Sequence, residues 1–249
     1  MKAALLAVLL LAAAAPARAG DPADEVFKFF AEESQAVTAL RHPASIDRSP
    51  LAVDVVTAEE IKTSGALDVW DLLRFRLGLD VVGGRSQAGY DRAAVSIRGI
   101  PRDSVTELRV MMDGRPVNNA LDGGVLWDRV PVQLQDIERI EIVRGPNAAL
   151  YGSGAGSGVI NIITRRPSKT FAASATALGG SLGTTQGHAS LEAARRDWGA
   201  RLSVQDRAQG GYPKADGSGT GNDWLHRQNA EAGAWWKPSA DTTLELLTG

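Results

Sequence analysis

The residue types that most often do chemistry are thinly spread along this chain of 249 residues. There is no cysteine, so thiolate nucleophiles, thiolate metal sites and disulfides are all excluded. The three histidines, His42, His188 and His226, lie far apart and lack a partner at metal-ligand spacing such as His-x-x-x-His. Aspartates and glutamates are scattered. One run, Gly152-Ser-Gly-Ala-Gly-Ser-Gly158, invites a nucleotide-binding reading. A phosphate loop needs Gly-Lys-Ser/Thr opening a helix, so that backbone amides and the helix dipole meet the anion. Here no lysine follows, and Val159-Ile-Asn-Ile-Ile163 is a β-branched strand. The run reads instead as a tight backbone passage inside a confined space. No catalytic constellation, metal or cofactor is expected, and the chain does not read as an enzyme.

The formal net charge of −2 argues against a general electrostatic grip on nucleic acid. A hydrophobic fraction of 44% is ordinary for a globular protein and gives no helical membrane composition. At the N-terminus, Lys2 precedes an apolar run from Ala3 to Ala15, and Ala17-Arg18-Ala19 supplies an A-x-A cleavage site. Residues 1–19 read as a secretory signal peptide, since the run falls short of the roughly 20 residues a bilayer helix needs. No later stretch is long and apolar enough to span as a helix, so any membrane entry must use strands.

Residues 20–42 form a polar, mostly acidic lead, flexible apart from Val26, Phe27, Phe29 and Phe30. Those residues are either a docking patch or one side of a short helix packing on the next domain. Residues 43–169 read as a compact α+β unit, a small mixed sheet with short helices. Val53-Asp54-Val55-Val56 is a strand, and Thr57-Ala-Glu-Glu60 has the capping-box spacing of a helix start. Ile61, Leu67, Trp70, Leu73 and Leu77 follow at near-helical spacing, with Gly65 breaking the run into two helices. Further strands are expected at Leu79 to Val82, ended by Gly83-Gly84, at Val95 to Arg98, and at Leu108 to Met112, stopped by Asp113-Gly114. A short helix around Gln133–Glu138 leads into Ile140-Glu-Ile-Val143, and Val159 to Ile163 completes the set.

Residues 170–249 change character. Segments of about ten residues alternate in polarity between turn clusters, the signature of membrane β-strands. Ala200, Leu202 and Val204 share one face while Arg201, Ser203 and Gln205 share the other. Ala230, Ala232, Ala234 and Trp236 likewise oppose Asn229, Glu231 and Gly233. Short turns at Asp197-Trp-Gly199 and 238–241 contrast with a long polar connection at 210–223, as in barrels with long outer loops. A soluble β-sandwich would give the same alternation.

The middle region resembles the plug domain of TonB-dependent receptors over about half the chain. The motifs, in order, are Val-Val-Thr-Ala-Glu-Glu-Ile at 55–61, Ser-Ile-Arg-Gly-Ile at 96–100, Met-Asp-Gly-Arg-Pro-Val-Asn at 112–118 and Ile-Glu-Arg-Ile-Glu-Ile-Val-Arg-Gly-Pro at 137–146. Ala149-Leu-Tyr-Gly-Ser153 and Gly158-Val-Ile-Asn-Ile-Ile-Thr164 follow. One departure is visible: the family's Pro-Gly-Val turn is Leu77-Gly78-Leu79 here, which predicts a less rigid corner.

The resemblance implies a plug followed by the first strands, about five, of an incomplete outer-membrane β-barrel. It implies energised uptake of a scarce solute, an iron–siderophore complex or a cobalamin-like compound, with outer-membrane lipid around the barrel. Glu33-Ser34-Gln35-Ala36-Val37-Thr38-Ala39 resembles a TonB box, which in the family pairs as an extended strand with the TonB energy transducer of the inner membrane; a plain linker is the other reading. Ligand contact is expected on two polar loops, from Arg85, Gln87, Tyr90 and Asp91 on one and Asn118, Asn119 and Asp122 on the other. Arg98, Glu141 and Arg144 are the plug charges that the resemblance pairs with the inner barrel wall; the alternative for Arg144 is a local carboxylate within the plug. Plugged transporters have around 22 strands, so these alone are not expected to close a barrel or to transport. A product folding as a plug-like binding module in the periplasm is therefore the alternative to a fragment of a transporter. A signal-transducing receptor would need a further folded domain in the lead, which is too short to hold one.

Overall fold

A computed structural model of the chain describes residues 35–36, 44–45, 51–85, 91–99, 106–167, 170–214, 218–221, 224–239 and 242–248. They belong to two compact units, one within 19–84 and 91–165, the other containing 166–249.

In the first unit, β1 (Gln35–Ala36) and β2 (Ala44–Ser45) form a two-residue antiparallel pair. β3 (Ala52–Thr57) runs into α1 (Ala58–Thr63), and the expected capping box is formed. Thr57 Oγ1 accepts from the Glu60 amide at 3.3 Å, and the Glu60 carboxylate accepts from the Thr57 amide at 2.9 Å. Gly65, at φ +70°, separates α1 from α2 (Val69–Leu73). α2 stops at Leu73, so Leu77 leaves the helical pattern and stands exposed.

β4 (Leu79–Arg85) pairs with β5 (Asp91–Ile97). β4 does not end at Gly83-Gly84. A Cβ at Gly83 would run into the Trp70 ring, so this glycine admits the indole and the strand continues past it. β6 (Leu108–Met112) turns through Asp113-Gly114, both at positive φ, into β7 (Arg115–Pro116). That is the two-residue hairpin for which Asp-Gly is preferred. The helix expected around 133–138 is a single 3₁₀ turn, Leu134–Asp136. From Ile137 the isoleucine-rich run is already β8 (Ile137–Arg144), whose β-branched side chains suit a pleated, buried surface. After α3 (Ala148–Tyr151), β9 (Gly158–Thr164) closes a mixed sheet of order β3-β8-β9-β6-β7, with β6 and β9 parallel and its other pairs antiparallel.

The two faces of this sheet differ. One carries the main core, including Val56, Leu73, Val110, Ile140, Ile142, Ile160 and Ile162, with Trp127 and Leu134 from the connecting turns. The other carries a small cluster of Met111, Val143, Ala155 and Val159, and along the same face the register aligns Val55, Glu141, Asn161 and Met111. The glycine-rich run is a backbone passage, as expected. A Cβ on Gly158 would overlap the Val143 carbonyl oxygen and lie 2.5 Å from Ile97 Cδ1, while Gly154 leaves room for the Arg109 guanidinium.

The second unit is a five-stranded antiparallel meander, β10 (Ala172–Gly179), β11 (Thr185–Ala194), β12 (Trp198–Gln209), β13 (Leu225–Ser239) and β14 (Thr242–Thr248). Its polarity decides between barrel and sandwich. Ser203 and Arg207 are 0% and 4% exposed, whereas Leu202 and Trp236 are 49% and 53% exposed. A soluble sandwich buries its apolar face; these strands bury the polar one, as membrane strands around a polar lumen do.

Gly158→Ala is expected to destabilise the chain by about 1–3 kcal/mol through overpacking. Gly179→Ala, with nothing within 4 Å of the added carbon, should stay within about 0.5 kcal/mol. Urea unfolding midpoints of the two variants check the contrast.

Candidate functional site

The loop after β7 is built by its own polar side chains. The Val117 amide donates to the Val110 carbonyl at 3.0 Å, and Asn118 then replaces a strand with its side chain. Its Oδ1 accepts from the Val110 amide at 3.0 Å, while Nδ2 donates to the carbonyls of Leu108 and Gly123, each at 2.9 Å. Asn118 is thus occupied in tying the loop to the open edge of β6. Asn119 Oδ1 accepts from the Leu121 amide at 3.0 Å, and Asp122 Oδ1 accepts from the Gly124 amide at 2.9 Å. These are Asx-turns, which shape a loop without a regular element. The loop holds Leu121 at 95% exposure. Beside it lies a cavity of about 300 Å³, lined by Val117, Asn119, Leu126, Arg129, Val130 and Pro131. Of two adjacent asparagines, then, one positions the loop and the other lines a space a solute could enter.

The other expected ligand loop is only partly described. Gln87 and Tyr90 lie outside the described residues, as do the side chains of Arg85 and Asp91, whose backbones end β4 and begin β5. Of the TonB-box segment, only the backbone of Gln35 and Ala36 is described, as β1; Glu33, Ser34, Val37, Thr38 and Ala39 lie outside.

Two of the named plug charges converge on one corner. Gly78 takes φ +75°, and its carbonyl accepts from the Arg98 amide at 3.2 Å. Arg144 Nη1 donates to the neighbouring Leu77 carbonyl at 2.6 Å, so the local partner of Arg144 is a carbonyl rather than a carboxylate. Arg98 itself sits at φ +50° with an exposed side chain, and Ser96 and Asp80 brace the following Gly99 through bonds of 2.9 and 3.3 Å. The Leu-Gly-Leu corner is therefore bonded from both sides. Glu141 is wholly buried, and Arg139 Nε donates to it at 2.9 Å. Where the ladder shifts register, the same guanidinium also reaches Glu138 at 2.6 Å.

Sequence reasoning missed Arg76 and Asp113. Arg76 bridges Glu60 at 2.9 Å and Asp54 at 3.9 Å, tying the end of the α2 segment to β3 and α1. Its contacts span many residues and follow no fixed spacing. Asp113 was legible only as a turn residue. Its carboxylate also accepts from the amide and hydroxyl of Thr164, at 2.9 and 2.8 Å, clamping the hairpin to the end of β9.

The family described as TonB-dependent Receptor Plug Domain matches residues 45–159, the stretch that holds these loops, corners and clamps. The chain belongs to the TonB-dependent receptor family. That family is made of transporters and receptors, not enzymes. A vitamin B12 transporter, BtuB, of Photobacterium profundum is 38% identical over 191 residues, which cover 75% of this chain and 28% of the transporter. The ferric enterobactin receptor PirA of Pseudomonas aeruginosa is 35% identical over 135 residues, covering 50% of this chain and 18% of the receptor. The chain thus spans less than a third of the length of either relative. Among solved structures, the ferric yersiniabactin uptake receptor FyuA of Yersinia pestis shares the fold at a TM-score of 0.61 and 18% identity, over 84% of this chain and 31% of that one.

Asn118→Ala would leave the Val110 amide and the Leu108 carbonyl without their partner, and is expected to cost about 2–3 kcal/mol. Asn119→Ala removes one exposed bond and should cost less than about 1 kcal/mol. Urea midpoints, with limited proteolysis of residues 117–126, check the order.

Proposed function

We propose that this chain is the plug and opening barrel segment of an outer-membrane receptor that imports a scarce solute of the iron–siderophore or cobalamin class. The observation that carries the reading is the pairing of two surfaces in one chain: a plug fold with built polar loops, and strands with a polar buried face and an apolar exposed one. The names of its relatives, a vitamin B12 transporter and a ferric enterobactin receptor, support this solute class.

In this reading the barrel is the hole, the plug is the gate, and Glu33 to Ala39 are the handle grasped by the TonB transducer. The outer membrane has no nucleotide energy source, so work must arrive through mechanical coupling to the inner membrane. Arg85, Gln87, Tyr90, Asp91, Asn119 and Asp122 offer polar groups to the solute, with Asn118 holding the second loop in place. Arg98, Glu141 and Arg144 supply the charges through which a plug is retained by polar contacts that can be broken again.

A second reading has its own support. The main core, from Val56 to Ile162, lies wholly within the first unit, so a plug-like module could fold alone in the periplasm and bind without transporting. Continuation of the reading frame in phase beyond Gly249 favours the transporter; a stable soluble product ending there favours the module.

A strain lacking the intact gene should lose growth on one iron chelate, or on cobalamin, when that nutrient limits. Unchanged uptake of all of them overturns the import reading. Because strand addition works through main-chain hydrogen bonds, Val37→Pro in the full receptor should abolish energised uptake while leaving solute binding intact. Val37→Ala should leave both nearly unchanged. Uptake and binding of labelled solute, measured side by side, check this.

A further inference from the structure

Just past the end of α2 the first unit carries an uncovered apolar knob. Phe75 and Leu77, on either side of Arg76, are 71% and 85% exposed, although α2 itself buries Val69, Leu72 and Leu73. The knob is held in place by its backbone and by Arg76. The amides of Phe75 and Arg76 donate to the carbonyls of Leu72 and Leu73 at 3.4 and 3.1 Å. Arg76 bridges Glu60 and Asp54, and the Leu77 carbonyl accepts from Arg144. Two exposed apolar side chains on a fixed backbone gain from any apolar partner that removes them from water.

The chain's own lead contains such a partner. Val26, Phe27, Phe29 and Phe30 lie outside the described residues, and they hold three of the chain's five phenylalanines. The sheet brings this lead to the knob. Arg144, which bonds Leu77, is the register partner of Ala52, where β3 begins. Arg76 reaches Asp54 on the same strand. The chain therefore enters the plug sheet beside the knob. Upstream, Gln35 pairs with Ser45, which folds the lead back on itself. From Ser45 to Leu51 the chain extends at most about 20 Å, and from Phe30 to Gln35 at most about 17 Å, so the rings can reach Phe75 and Leu77. Charge favours the same contact. Asp21, Asp24 and Glu25 precede the aromatic run and Glu32 and Glu33 follow it. Beside the knob stands the half-exposed Arg74, whose ion-pair partner Asp71 is 3.9 Å away.

We propose that the segment from Val26 to Phe30 docks on Phe75 and Leu77 and parks the lead against the plug. The rings cover the two exposed side chains, and the acidic flanks lie toward Arg74. The segment Glu33 to Ala39, proposed above as the TonB handle, is then held at two places. Its residues Gln35 and Ala36 are paired with Ser45 and Ala44, and the docked rings restrain it from the N-terminal side. A transducer that adds to it as a strand must first draw the lead away. That consequence rests on the reading of Glu33 to Ala39 as the handle; the docking itself does not, and the test separates the two.

The chain has no cysteine, so an introduced pair reports the contact without background. Under mild oxidation of the full chain, Phe29→Cys/Leu77→Cys should close an intrachain disulfide, read by non-reducing electrophoresis and mass spectrometry. The control pair Phe29→Cys/Leu121→Cys places the second thiol beyond β7, at the sheet edge opposite β3. Docking raises the local concentration of one thiol around the other, so the first pair should close at least about tenfold faster than the control. Adding Phe27→Ser/Phe30→Ser should remove that advantage. Equal closure rates overturn the docking, and so does a disulfide formed only between chains, which would make a second copy the occupant. For the handle, a lead docked in about nine-tenths of molecules lowers apparent transducer affinity about tenfold. Phe75→Ser/Leu77→Ser should therefore bind the soluble periplasmic part of the TonB transducer more tightly by that factor, with an unchanged urea midpoint because both side chains are exposed. Faster closure of the first pair with unchanged transducer binding keeps the docking and overturns the parked handle.

Discussion

The plug is built around the pairing of β8 with β9, and that pairing depends on a glycine opposite a carbonyl. At Gly158 the two strands and Ile97 approach so closely that no side chain fits. The approach brings β8 and β9 into register from Ile137↔Thr164 to Arg144↔Gly158, with β3 and β6 flanking them. Further positioning devices attach to this ladder or to its neighbour β6. Asp113 clamps the β6–β7 hairpin to Thr164, Arg144 reaches from the end of β8 to the Leu77 corner, and Asn118 stitches the following loop to β6. The loops are therefore fixed by hydrogen bonds to the central strands, not by a core of their own.

The order of elements could be read from the sequence, because it depends on local chemistry. The capping box at Thr57, the Asp113-Gly114 hairpin and the β-branched runs of β8 and β9 each act within a few residues. What could not be read depends on contacts between distant residues. Gly83 looks like a strand stop until the Trp70 ring is found against it. The run at 133–138 looks helical until Ile137 and Ile140 are needed in the sheet core. In the strand unit, alternation gave the two faces of β12 but not which was buried. That is set by the surroundings and not by the period.

The candidate site was legible to a similar degree. Asn118 and Asn119 are the same residue type on the same loop, and nothing in a single sequence separates scaffold from lining. The difference arises because position 118 faces the open edge of β6, where Val110 and Leu108 still need partners. The corner at Gly78 teaches the converse lesson. Loss of the family's proline would remove stiffness from the backbone, yet the Arg98 amide and the Arg144 guanidinium supply restraint from outside the turn. Rigidity is a property of the surroundings as much as of the turn residues.

The two faces of the plug sheet divide stability from use. The first face is apolar and continuous, and burial there accounts for why the domain folds. The second keeps Glu141 wholly buried in the centre of the sheet against Arg139, with Asn161 beside it. A buried ion pair is weak evidence for stability, since well-packed apolar residues of similar volume are often as good or better. Its presence in the central strand therefore calls for a reason other than folding. On the proposed reading that reason is reversibility: a gate held through polar groups can exchange them for water and other polar partners when pulled. An apolar surface would have to be exposed at full cost. On that proposed reading, the continuous apolar face keeps the domain intact while charges such as Glu141 lie where contacts would be remade.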